Sequence, residues 1–141
     1  MLRRTVLALA LLAAPAPALA EWVHIPSAAR AQATGEGGVM LAVECGSTGV
    51  PGLNVEEIWP TTEWVSVDIV IGTTEYRLEA RCEAGVCPLN LMSFPMIADV
   101  METLQSGREA VISYTQGAYI GRVPLAGSRD AIGRVLAECP V

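Results

Sequence analysis

The stretch Arg-Cys-Glu-Ala-Gly-Val-Cys, residues 81–87, sets Cys82 and Cys87 five positions apart around Gly85. A pair like this has three chemical uses: thiol–disulfide exchange, metal ligation, or a covalent staple. Exchange sites favour two residues between the cysteines, a helix N-terminus and a depressed thiol pKa. Here four residues intervene, and Glu79 and Glu83 lie among Arg77 and Arg81 on the flanks. Zinc sites need further cysteine or histidine ligands at close spacing, yet the chain's one histidine, His24, is remote in sequence. The residues favour a staple.

Other chemistry finds few candidates. A hydrolase needs a nucleophile, a base and an orienting group. His24, in Glu-Trp-Val-His-Ile-Pro, is the only imidazole, and alternation from Trp22 puts it on a first strand as a surface or edge residue. Neither G-x-S-x-G nor S-x-x-K occurs. Glu56 and Glu57 are adjacent, but neighbours on a strand point to opposite faces and cannot act as a paired acid and base. A glycosidase built from distant carboxylates is a weaker alternative. No catalytic residue, cofactor site or metal site is assigned.

Trp59 and Trp64 flank a proline-containing turn in a chain where aromatics make up only 5%. Either they plug the end of a core, the ordinary role, or they form a recognition pair. Tyr114 and Tyr119 carry the same ambiguity. If the chain has a partner-binding surface, Trp59 and Trp64 are its best candidates.

The first twenty residues read as an export signal: a basic Met-Leu-Arg-Arg start, a short apolar run, and Ala18-Leu19-Ala20 before Glu21. The apolar run is shorter than the roughly 20 residues a membrane span needs. Cleavage leaves 141 − 20 = 121 residues, one domain with a real core. The formal charge of −6 becomes 7 − 15 = −8 once Arg3 and Arg4 are lost, and every basic residue is arginine. Such an acidic surface disfavours nucleic acid and anionic lipid. The expected protein is periplasmic or secreted, with no membrane span after cleavage.

All four cysteines lie in the mature part, which in an exported chain implies two disulfides with three possible connectivities. The elements around them narrow the choice. Val39, Leu41, Val43 and Cys45 share one strand face; Val65, Val67, Ile69 and Ile71 share another. After a turn at Gly72-Thr73-Thr74, Tyr76, Leu78, Ala80 and Cys82 alternate with Glu75, Arg77, Glu79 and Arg81. Period-two patterning of this kind predicts antiparallel strands with one wet side. Ser93 and Pro95 begin a helix bearing Ile97, Val100, Met101 and Leu104, which Gly107 ends. A hairpin turns at Gln116-Gly117, and residues 128–139 form a last helix with Ile132, Val135, Leu136 and Cys139 on one stripe. Gly133 weakens that helix by about 1 kcal/mol relative to alanine. The small, glycine-rich stretch Ala28–Gly38 reads as an exposed loop; it lacks the lysine of a phosphate-binding loop. Cys45 and Cys139 both face the core, so Cys45–Cys139 with Cys82–Cys87 is the economical pairing. The fold class is mainly β: an antiparallel sheet or sandwich with two short helices, one C-terminal.

Residues 76–138 resemble the invasion-associated locus B family of exported bacterial proteins. The matching features are the cysteine pair Cys82 and Cys87, Leu104 with Gly107 at a helix end, and the Leu125-Ala126-Gly127 turn into a final helix. The N-terminal half departs: Trp22 matches an early tryptophan, but of the early cysteines only Cys45 is present, and Val86 separates Gly85 from Cys87. Trp22, Cys45 and Cys139 also look similar to positions in the exported accessory proteins of type VI secretion systems. Neither resemblance carries a catalytic motif. Together they imply a non-enzymatic envelope module working through contact with another envelope or secreted protein. A periplasmic inhibitor of a hydrolase, such as a protease or lysozyme, is the alternative.

Overall fold

Two antiparallel sheets and two helices make up the computed structural model, which describes residues 21–56 and 63–139. The proposed leader, Glu57, Trp59 and Pro140 lie outside the described residues. The first sheet contains β1 (Val23–Ile25), β2 (Arg30–Thr34), β3 (Met40–Cys45) and β4 (Pro51–Glu56), with β7 (Val86–Pro88) beside β4. In the second, β5 (Glu63–Ile71) lies between β6 (Thr74–Cys82) and β8 (Glu109–Tyr114), and β9 (Tyr119–Pro124) follows β8. The helices are α1 (Phe94–Ser106) and α2 (Ser128–Glu138). Among the described residues no helix is long and apolar enough to cross a membrane.

Alternation in the sequence becomes burial. Leu41 and Val43 of β3, Leu53 and Val55 of β4, and Val67, Ile69 and Ile71 of β5 are buried in one core with Tyr76, Leu78 and Ala80 of β6. Glu75, Arg77, Glu79 and Arg81 stand on the opposite, wet face of β6. Val100, Met101 and Leu104 of α1 and Ile132 and Val135 of α2 complete the core, as helical spacing required. The Ser93 hydroxyl accepts from Met96 N at 3.4 Å and caps α1. Tyr76 ties α1 to the second sheet: its hydroxyl donates to Asp99 Oδ2 at 2.6 Å and shares a 2.7 Å hydrogen bond with Thr103 Oγ1. Burial, with the Asp99 carboxylate, holds that phenol above its ordinary pKa.

Two glycines act for different physical reasons. Gly117 follows Gln116 in the β8–β9 turn, with φ of 127° and 79° respectively, a left-handed pair suited to a hairpin. Gly107 ends α1 at φ −79°, so no left-handed conformation is needed there. It is required by space: a Cβ would run into Ile71 Cγ2 and Leu125 Cδ1.

The expected loop at Ala28–Gly38 is corrected. Arg30–Thr34 is a central strand, flanked by two single 3-10 turns at Pro26–Ala28 and Glu36–Gly38. Ala31 and Ala33 are buried while Arg30 and Gln32 face outward. Small side chains mimic a loop in composition, yet here they let α2 pack closely on β2. β4 was also missed, because Gly52, Asn54 and Glu56 separate Leu53 and Val55 and make the segment resemble a turn.

Both disulfides pair as expected. Cys45 at the end of β3 joins Cys139, the residue that closes α2. Cys82 ends β6 and Cys87 lies in β7, so the five-residue staple crosses from one sheet to the other. Ala84 and Gly85, at φ 50° and 81°, make the intervening turn, and Glu83 and Val86 exchange backbone hydrogen bonds of 2.9 and 3.0 Å. Beyond the staple, Asn90 N donates to Glu79 O at 2.8 Å and continues the seam between the sheets.

Candidate functional site

Of the nominated tryptophan pair, Trp64 lies among the described residues. The second residue of β5, it lies opposite Arg81 of β6 on the wet face of the second sheet and is 71% exposed. It therefore plugs no core. Strand parity causes this: Val65 and Val67 point inward, so Trp64, Ser66 and Asp68 must point out. A recess of about 330 Å³ beside the indole is lined by Trp64, Val65, Ser66 and Glu79. Arg81 has no ion pair among the described residues.

Below the tryptophan the surface is held rigid. Arg77 grips Asp68 with two hydrogen bonds, Nε to Oδ1 at 3.0 Å and Nη2 to Oδ2 at 3.3 Å. Thr115 Oγ1 donates to Asp68 Oδ1 at 2.9 Å; that uses its proton, so Ser66 Oγ donates to Thr115 across 2.8 Å. The Arg77 guanidinium, aided by Thr115, holds the Asp68 carboxyl below its ordinary pKa against the effect of burial. The sign for stability follows. An unfolded aspartate titrates near pH 4, at about 3.9, and the folded one lower, so on acidification the unfolded chain takes the proton first. The network's contribution is complete above that range and is lost as pH falls through the folded value. Urea midpoints for wild type and Asp68→Asn should therefore converge between about pH 5 and pH 2. Parallel curves would show that Asp68 does not drive the acid limb.

Other nominated residues scatter. Tyr119 is exposed and its hydroxyl donates to Glu36 Oε2, which holds its phenol above the ordinary pKa. Tyr114 packs against the core from the far end of β8. His24 is on the edge strand β1 as expected, but it is no surface residue: its side chain is 11% exposed, with Nε2 at 2.9 Å from Glu138 Oε1 of α2. The contact does not have hydrogen-bond alignment. A cleft of about 830 Å³ between the β5–β6 turn and the start of β8 is lined by Thr73, Thr103, Ser106, Arg108 and Glu109 among others, and His24 is not part of it. Among the described residues no group of three or more metal-ligating side chains converges.

The sequence reading missed a charged cluster on the outer face of the first sheet. Arg30 of β2 donates through Nε to Gln32 Oε1 at 2.7 Å, through Nη1 to Glu44 Oε2 at 3.1 Å, and through Nη2 to Glu56 Oε2 at 2.6 Å. Asn54 Nδ2 donates to the other oxygen of Glu44, Oε1, at 2.8 Å. The bond to Glu56 leads in raising the Arg30 pKa, with burial opposing it. The signal was present as period-two placement of Arg30, Gln32, Glu44, Asn54 and Glu56, but it appears only once β2 and β4 are recognised as strands.

Fold and site together define a disulfide-stapled, two-sheet β protein with a hydrogen-bonded polar face that displays the indole of Trp64. Among solved structures, the fold is similar to that of invasion associated protein B from Bartonella henselae, with a TM-score of 0.51 and 15% identity over 77% of this chain and 84% of that one. This overlap is longer than residues 76–138, so part of the N-terminal half is covered as well. No family model matches the chain, and no curated protein does.

Proposed function

We propose that this protein is a non-enzymatic accessory module of the bacterial envelope, periplasmic or secreted, that binds a protein partner through the face around Trp64. The observation that carries the reading is the indole itself, 71% exposed beside Arg81, which has no ion pair among the described residues. Tryptophan and arginine dominate binding hot spots because they combine large apolar area with directed polar contacts. The hydrogen-bonded row beneath them is already ordered, which lowers the entropy cost of association. Two disulfides suit an oxidising compartment. The likeness to an invasion-associated protein supports an invasion-related setting, and the type VI secretion resemblance a secretion-related one.

Trp64→Ala tests this without disturbing the core. Cross-linking capture from the native envelope should lose its dominant protein partner at least tenfold, with an unchanged thermal midpoint. Equal capture by the variant would sink the proposal. Should the captured partner be a hydrolase that the purified chain slows, the inhibitor reading would take precedence.

A further inference from the structure

A second exposed apolar feature lies away from the indole, on the helical side. Met92 and Phe94, at the entry to α1, are 82% and 63% exposed, and Phe94 is the chain's only phenylalanine. Phe94 opens onto a groove of about 410 Å³ between the helices. Ile97, Ala98 and Met101 of α1 form one wall, Leu136 of α2 the other, and Pro51 of β4 contributes to the lining. Ile97 and Met101 are one turn apart, so the groove runs along α1. Met101, flexible at its thioether, lies in the groove's lining.

The charges around the groove select its occupant. α1 has no basic residue, and of its two acids Glu102 lines the groove while Asp99 lies outside the lining and accepts from the Tyr76 hydroxyl. Glu102 is exposed, with no ion pair among the described residues. Arg129 and Arg134 of α2 line a separate shallow surface with Gly127 and Gly133, leaving the groove's charge uncompensated. A second copy of the exported chain would bring another net charge of 7 − 15 = −8, and an anionic lipid headgroup would meet Glu102. We infer that the groove between α1 and α2 is a docking site for a cationic amphipathic helix of a partner protein. Its apolar anchors, spaced i and i+4, enter beside Ile97 and Met101, and a lysine or arginine reaches Glu102. This site goes beyond the Trp64 reading and does not depend on it.

The test titrates a 14-residue helical peptide of leucine and lysine into the exported chain with both disulfides intact, observing the methyl groups of Ile97, Met101 and Leu136 by NMR. Saturable shifts confined to these methyls are expected, with micromolar affinity that weakens as salt rises. Ala98→Arg, an exposed change compatible with the helix, should weaken binding at least tenfold with an unchanged thermal midpoint. Glu102→Gln should weaken it several-fold, and Trp64→Ala should leave it intact. The inference is overturned if a leucine–glutamate peptide binds equally well, or if a lysine–serine peptide of the same charge does. It also fails if Ala98→Arg binds as tightly as wild type, or if the same methyls shift on concentrating the protein alone.

Discussion

Replacing Cys45 and Cys139 together by alanine should cost about 4 to 5 kcal/mol of stability. The bridge spans a sequence separation of 94, nearly the whole described chain, so its loss frees a large unfolded ensemble. It also fastens the end of α2, which contains Gly133 in its middle, to the end of β3. Urea unfolding with Cys82–Cys87 kept intact would measure the effect. The midpoint should fall and the denaturant slope rise, because an uncrosslinked unfolded chain exposes more surface. A loss below about 2 kcal/mol would mean that the unfolded state is already compact enough to make the bridge redundant.

Arg30→Met should cost about 3 kcal/mol or more by leaving a buried carboxylate without its partner. Methionine retains much of the stem's packing, so the change isolates the guanidinium. The Glu56 side chain is only 10% exposed and depends on the 2.6 Å bond from Arg30; Glu44, 38% exposed, still meets water. Most of the loss therefore falls on Glu56. In a Glu56→Gln background the same substitution should cost far less, a coupling above about 1 kcal/mol in a double-mutant cycle. Equal costs in both backgrounds would mean that Arg30 acts through packing alone.

The cluster also shows where sequence reading stops. Val65 to Ile71 and Tyr76 to Cys82 were legible because burial on one side of a strand forces apolar residues into period two. Ser93, Pro95 and the apolar spacing through Leu104 were legible because capping and helical periodicity are local. β2 was not: Ala31 and Ala33 are buried yet small, and composition cannot distinguish a small residue chosen for close helix packing from one chosen for loop freedom. β4 was hidden by Asn54 and Glu56, polar residues whose outward places are covered by Arg30 and Glu44. A buried polar group is tolerated only with its partner, and the partner of Glu56, Arg30, lies on β2, which composition disguised as a loop.

The disulfide pairing was legible in the sequence as the economical one of three connectivities, and the structure has it. So were β3, β5, β6, the β8–β9 hairpin and the terminal helix. Only the tertiary structure decided that the short staple crosses between sheets, that His24 is half-buried against α2, that Trp64 faces water, and that α1 and α2 leave an apolar groove with Glu102 in its lining. The physical reason is one of range: periodicity and caps are set by neighbours along the chain, whereas sheet order, cross-sheet contacts and grooves depend on which distant faces meet.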